Sequence, residues 1–143
     1  MIKSHSYALN AQSDVGDTVM CCGEGPEEKV RCLGVKMGGY VPETLKAIEE
    51  YNPDLVELIE RLDKVLLEDG ALDKKTKRLI ALACVAMRMC EDCIYPQAKV
   101  AMNYGATKKE IMETLEICII TGGVPTFSVA KKGIGKLFKE MEK

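Results

Sequence analysis

Asp73-Lys74-Lys75-Thr76-Lys77-Arg78-Leu79-Ile80-Ala81-Leu82-Ala83-Cys84-Val85-Ala86-Met87 is the stretch that decides the fold. Asp73 is a favoured N-cap type, so a helix is expected from there to about Met89. From Leu79 to Met87 it is apolar on all faces. Such a helix is buried all round, which predicts the centre of a bundle or a helix covered by another subunit. This run is also the longest apolar one, far short of the ~20 residues that a membrane helix needs.

Working outward, the neighbouring segments read as helices too. Pro42-Glu43 looks like a helix start, with Pro in the first turn where its missing N–H costs nothing. Asn52-Pro53-Asp54 is a second start, with Asn52 as expected N-cap. It leads into Leu55, Leu58, Ile59, Leu62, Val65 and Leu66, one stripe at spacings of three and four. Gly70 is the expected left-handed terminator. A further helix is predicted from near Cys93 to Tyr104, ending at Gly105. Thr107 and Glu110 form a capping box for the next one, which carries Ile111, Met112, Leu115, Cys118 and Ile119. Thr121-Gly122-Gly123-Val124-Pro125 breaks it, and a last helix covers about Thr126 to Glu140. No useful period-two pattern and no internal repeat appear. The predicted fold class is all-α, with about six helices over 40–143. Residues 1–39, rich in glycine and holding Cys21, Cys22 and Cys32, read as an irregular arm with one short element around Glu27 to Leu33.

Composition narrows the function classes. The 143 residues fit one domain, and 20 basic against 22 acidic residues leave a net charge of −2. There is no basic excess for nucleic acid, and aromatics are 5% with no Trp. The one histidine, His5, makes a Ser-His-Asp triad improbable and rules out His-rich metal sites. The first ten residues lack a secretory apolar core, so the expected location is the cytoplasm. In a reducing compartment, seven cysteines point to redox or metal chemistry plus ordinary buried thiols.

Cys90-Glu91-Asp92-Cys93 is the motif with chemical content. At i and i+3 on a helix the sulfurs share a face and are within reach of a disulfide. A helix N-terminus there favours a thiolate. Glu91 and Asp92 oppose that, and Arg88 and Lys99 could offset them. Read alone, the motif is equally a pair of half-buried structural thiols.

The surrounding residues add to this reading. Gly70 through Ala83, then Cys90-x-x-Cys93, Ala98, Gly105-Ala106-Thr107-x-x-Glu110-Ile111, Gly122-Gly123, Ala130 and the entry Gly39-x-x-Pro42 closely resemble the carboxymuconolactone decarboxylase family and its alkylhydroperoxidase D-like (AhpD-like) branch. The resemblance covers roughly 38–137 and leaves the arm aside. It implies an AhpD-like helical fold assembled into homotrimers or homohexamers. It also implies a redox centre in which Cys93 reacts with peroxide and Cys90 resolves it. Two positions depart from the branch. The histidine expected four residues after the second cysteine is Gln97, and the glutamate expected twelve residues before the first is Arg78. Gln97 can only hydrogen-bond. Arg78, if it faces the site, carries a fixed charge that could lower a cysteine pKa.

The expected function is thiol-dependent peroxide reduction or disulfide exchange at Cys90 and Cys93, with Gln97 and Arg78 as supporting candidates. No cofactor and no metal is expected. The expected partners are further copies of the chain, a thiol reductant and a small-molecule peroxide or small acid, with neither nucleic acid nor membrane. The alternatives are a lyase acting on a small lactone or acid, and a non-catalytic oligomeric module with relict cysteines. Cys84 and Cys118 read as core thiols, and Met87, Met89, Met102 and Met112 as core filler. Tyr95 and Tyr104 read as packing residues near the cysteines. Lys131-Lys132-Gly133-Ile134-Gly135-Lys136 reads as a solvated basic helix face, since it lacks phosphate-loop spacing.

Overall fold

Helices α1 (Pro26–Lys36), α2 (Glu43–Tyr51) and α3 (Asp54–Leu67) form one layer of the molecule. Helices α4 (Lys74–Met87), α5 (Glu91–Asn103), α6 (Lys108–Gly122) and α7 (Val124–Glu140) form the other. The structure, a computed structural model, describes residues 25–142, and every regular element among them is a helix. The all-α prediction therefore holds: α2 to α7 are the six helices expected over 40–143, and α1 is the short element expected around Glu27 to Leu33, longer by a few residues. Pro26 opens it, Glu27 and Glu28 sit in its first turn and Lys36 in its last, each charge on the side the helix dipole favours. Val30 and Leu33 on this helix are fully buried. The rest of the predicted arm, with His5, Cys21 and Cys22, lies outside the described residues.

Two caps are as the sequence predicts. Asp73 accepts from the Thr76 N–H at 2.8 Å, and Thr107 with Glu110 makes the reciprocal capping box that starts α6. Two differ. The N-cap of α3 is Pro53, itself in helical conformation, and Asn52 instead ends α2. The N–H of Leu55 bonds the Asn52 carbonyl in a tight first turn, so the Asn52 side chain makes no cap. Gly70 is not left-handed and lies past the end of α3 at Leu67. The Lys77 ammonium donates to the Glu68 carbonyl at 2.8 Å, meeting a terminal acceptor that a glycine cap would otherwise serve. Gly123, at φ 82°, is the joint that lets α6 turn into α7.

Two apolar cores lie on either side of α5. Leu82, Ala86, Ile94, Ala98, Ala101, Ile111, Leu115, Ala130 and Leu137 interlock between α4, α5, α6 and α7. The alanines let the helix backbones approach closely. Val30, Leu33, Leu45, Val56, Leu67 and Val100 form the second core, which seats α1, α2 and α3 against the far face of α5. Asn103 donates to the Met37 carbonyl at 2.7 Å and the Tyr104 hydroxyl donates to that of Lys36, tying the end of α1 to the end of α5.

Two helices depart from the burial their sequences suggest. Helix α4 is not central. Arg78, Leu82 and Ala86 form its buried stripe, whereas Ile80, Cys84 and Met87 are exposed. Cys84 is thus no core thiol, although Cys118 is buried as expected. Met87 and Met89 are likewise exposed rather than core filler. On α3 the fully covered residues are Val56 and Leu67, while Leu58, Leu62 and Val65 of the predicted stripe face outward. Helix α3 packs against α1, α2 and the edge of α4. Its apolar arc is wider than those neighbours cover.

Candidate active site

Helix α4 ends at Met87, and Arg88 and Met89 turn the chain into α5. Met89 takes φ 60°, the left-handed region that a methionine rarely occupies. It is the one non-glycine residue in that region among those described. The turn is fixed by its hydrogen bonds. The Cys90 N–H reaches the Val85 carbonyl at 3.0 Å, and the Cys93 N–H returns to the Cys90 carbonyl at 3.1 Å. Cys90 becomes the N-cap of α5, with Cys93 in its first turn and the two Cα atoms 5.3 Å apart. The sulfurs are bonded to each other as a disulfide, and both residues are half-exposed. The helix starts two residues earlier than the sequence predicts. Pro96 is consequently its sixth residue, and the acceptor deprived of a partner is the carbonyl of exposed Asp92.

Turning at about 100° per residue places Cys90, Cys93 and Gln97 on one face of α5 and Glu91, Asp92 and Tyr95 on the other. The two carboxylates between the cysteines therefore point away from the sulfurs. The Glu91 carboxylate is paired with the Lys132 ammonium at 2.9 Å. This opposite face lines a cleft of about 620 Å³, walled also by Tyr40, Glu43, Lys132 and Lys136. The Tyr95 ring meets Tyr40 edge-on, lies under the Lys136 ammonium and sends its hydroxyl to Glu140 at 2.7 Å. Burial and that hydrogen bond push the Tyr95 hydroxyl above its ordinary pKa. The basic run of α7 is solvated as its sequence suggests, with Lys131, Lys132 and Lys136 all exposed, and Lys132 and Lys136 also reach across to α5.

On the sulfur side of α5 stands Gln97, which Arg78 of α4 reaches. Arg78 Nη1 donates to Gln97 Oε1 at 3.1 Å. Gln97 lies one turn after Cys93, so this bond brings the buried charge of α4 to the disulfide end of α5. Arg78 is only 3% exposed; its Nε and Nη2 are buried and make no close hydrogen bond, and the Tyr104 hydroxyl and Asp63 are its nearby polar groups. Burial lowers the Arg78 pKa and Asp63 draws it back, but a guanidinium stays charged throughout the useful pH range. Asp63 on α3 is itself raised by burial, against the pull of Arg78, and the two make no ion pair. Tyr104 is raised by burial and lowered by the same guanidinium. It packs near the site, as its sequence position suggests, but its own proton goes to the Lys36 carbonyl. Sequence reasoning did not find Asp63, because nothing in the spacing of α3 marks a carboxylate that tertiary packing carries to Arg78.

Burial pushes the Cys118 thiol up, with Cys84 adding to the effect. Cys32, buried in α1, is disulfide-bonded. Among the described residues no three of His, Cys, Asp and Glu are grouped so as to hold a metal ion. No described helix is long and apolar enough to cross a membrane.

Comparison with known proteins agrees with this architecture. An uncharacterised protein of Methanocaldococcus jannaschii is 40% identical over 99 residues, covering 68% of this chain and 95% of its own. The 4-carboxymuconolactone decarboxylase of Acinetobacter baylyi is 26% identical over 120 residues, covering 82% of this chain and 87% of the enzyme. Among solved structures, a carboxymuconolactone decarboxylase family protein from Legionella pneumophila superposes with a TM-score of 0.60 at 28% identity. That match spans 82% of this chain and 97% of the other. A Burkholderia xenovorans LB400 protein, proposed to be a carboxymuconolactone decarboxylase, gives 0.67 at 25% identity over 82% and 94% of the two chains. The model of one family matches residues 53–132, from the start of α3 through the disulfide helix into α7, and on that match the chain belongs to the carboxymuconolactone decarboxylase family.

Proposed function

We propose that the protein is a thiol-dependent peroxidase or disulfide oxidoreductase of the AhpD-like branch, working through Cys90 and Cys93. The observation that carries this reading is the half-exposed disulfide at the start of α5. Helix N-terminal N–H groups favour a thiolate there, and both intervening carboxylates are turned to the other face.

The chemistry balances with those two residues alone. The Cys93 thiolate attacks one peroxide oxygen and the O–O bond breaks. The leaving alkoxide or hydroxide takes a proton, and Cys93 is left as a sulfenic acid. Cys90 then attacks that sulfur, the S–S bond forms and water leaves. The two electrons come from the two thiols, and an external dithiol restores them by exchange through a mixed disulfide. No metal or cofactor enters these steps. Gln97 cannot act as a proton relay. Held by Arg78, it presents an amide of fixed orientation beside the sulfurs.

The proposed assembly is of identical copies, as trimer or hexamer, in the cytoplasm. It draws support from the outward apolar residues of adjacent α4 and α6: Ile80 and Met87 on the first, Ile117 and Ile120 on the second, the last 86% exposed. A lyase acting on a small lactone or acid is the second reading, favoured by the similarity to the Acinetobacter enzyme.

The test is a mass-spectrometric thiol census of the reduced protein before and after stoichiometric peroxide. Fast, selective formation of the Cys90–Cys93 disulfide, reversed by a dithiol and abolished in Cys93→Ser, is the expected result. Thiols that stay free, or oxidise slowly and without preference, overturn it. Lactone turnover that survives Cys93→Ser establishes the lyase instead.

A further inference from the structure

Helix α3 is seated in the fold by one side only. Val56 and Leu67 are buried there, and Ile59 and Leu66 beside them are half-buried. On the other side Leu55, Leu58, Leu62 and Val65 are 41%, 52%, 66% and 69% exposed. Their spacing is three, four, three. At about 100° per residue the four side chains fall within an arc of about 80°. This is the a/d pattern by which one helix packs lengthwise along another. A contiguous stripe of large apolar side chains, unlike single ones scattered over a surface, marks a place where something docks.

The charges beside the stripe say what covers it. One flank carries, in chain order, Asp54, Glu57, Arg61 and Lys64, all exposed. Glu57 and Arg61 hold each other at 2.6 Å, whereas Asp54 and Lys64 make no ion pair among the described residues. The acidic pair lies towards the start of the helix and the basic pair towards its end. A second α3 laid antiparallel sets each half against its opposite. Asp54 of each copy then comes within side-chain reach of Lys64 of the other, while Leu58 meets Leu62 and Leu55 meets Val65. The stripe is thus complementary to itself about a twofold axis. A parallel pairing makes no such match, because it sets the charged flank against the opposite one, where Ile59 and Leu66 lie. Helix α3 is already held by α1, α2 and the edge of α4, so the contact orders no new backbone.

We propose that the Leu55–Leu58–Leu62–Val65 face of α3 docks against the same face of a second copy of this chain, antiparallel and about a twofold axis. This surface is built by a different helix from the α4 and α6 residues Ile80, Met87, Ile117 and Ile120, and it joins copies in pairs whether or not that other face is covered. The number of chains in the assembly is therefore even. Where the α4–α6 face also closes a ring of three, as the assembly reading has it, the α3 contact joins two rings and the count is six. Only that count rests on the assembly reading; the pairing does not.

The experiment is sedimentation equilibrium of the full-length protein. The wild type is expected to have the mass of an even number of chains, and Leu62→Glu to halve it. Asp54→Lys is expected to raise the dissociation constant of the pair at least tenfold, and Asp54→Lys combined with Lys64→Asp to bring it back. This rescue reports the antiparallel register and does not depend on Leu62→Glu folding. Ile80→Ser with Ile120→Glu should leave pairs, which Leu62→Glu then splits into single chains. A wild-type mass of one or three chains overturns the proposal. So does a mass that Leu62→Glu leaves unchanged, since residues 1–24 or a different partner would then cover the stripe. An Asp54→Lys variant that still pairs normally, or a charge swap that fails to restore pairing, overturns it as well. None of these masses involves thiol turnover, so the α3 contact and the Cys90–Cys93 redox reading fail separately.

Discussion

Arg78 Nη1 and Gln97 Oε1 meet at 3.1 Å, a bond between α4 and α5 at the two positions where the AhpD-like branch has glutamate and histidine. The pair joins a fixed cation to a non-titrating amide, so neither partner can relay a proton near neutral pH. Gln97→His is expected to restore a titrating group beside Cys93. Thiol oxidation followed by stopped flow from pH 5 to 9 should then gain a step near the pKa of histidine that the wild type lacks. Gln97→Ala should instead cost about 1–3 kcal/mol in urea unfolding, because a hydrogen bond to a buried guanidinium is lost.

Leu82 and Ile80 lie two residues apart on α4 and face opposite environments. Leu82 is fully buried between α4 and its neighbours, so Leu82→Ala is expected to cost about 2–5 kcal/mol by denaturant unfolding. Ile80→Ser removes a side chain that the protomer leaves exposed, and within the protomer it should change stability by less than about 0.5 kcal/mol. If copies of the chain cover this face, Ile80→Ser combined with Ile120→Glu should lower the mass measured by light scattering towards that of one chain.

Glu110 gives the fold an acid-sensitive joint. Its carboxylate takes the Lys75 ammonium and the Thr107 N–H, and these hold its pKa at about 2 against an ordinary 4.5. A carboxyl depressed in the folded state stabilises the fold fully above its unfolded value, and that contribution is lost as pH falls through the folded one. The Tm is therefore expected to fall between about pH 4.5 and 2. Glu110→Gln should lower it at neutral pH and flatten that part of the profile. Thr107→Ala, which removes the other half of the capping box, should cost about 1 kcal/mol at neutral pH.

Gly133 sets how closely α7 lies on α5. A Cβ at this position would stand 3.0 Å from the Tyr95 backbone nitrogen and 3.1 Å from Ile94 Cγ2. The backbone cannot give way as a flexible side-chain tip can. Gly133→Ala is expected to destabilise by about 1–3 kcal/mol, beyond the small gain in helix propensity that alanine brings. It should also disturb the cleft that Gly133 and Tyr95 both line, visible as altered quenching of tyrosine fluorescence.

The amino-acid sequence by itself determined where most helices lie. Caps such as Asp73 and Thr107 with Glu110, and the joint at Gly123, act through hydrogen bonds and backbone angles within a few residues, so their effect is legible without the rest of the molecule. The cysteine spacing was legible for the same reason, since one helical turn fixes the approach of Cys90 to Cys93. Where local signals compete, tertiary contacts choose between them. Asn52 gave way to Pro53, and Gly70 to a lysine nine residues along from Glu68. Tertiary structure alone decided which arc of α3 and α4 is covered, because apolar spacing names a face but not the neighbours that meet it. It also decided that Glu91 turns to Lys132, and that Asp63 and Tyr104 come near Arg78. These are relations between residues far apart in the chain, and they exist only once packing has chosen which side chains share a space.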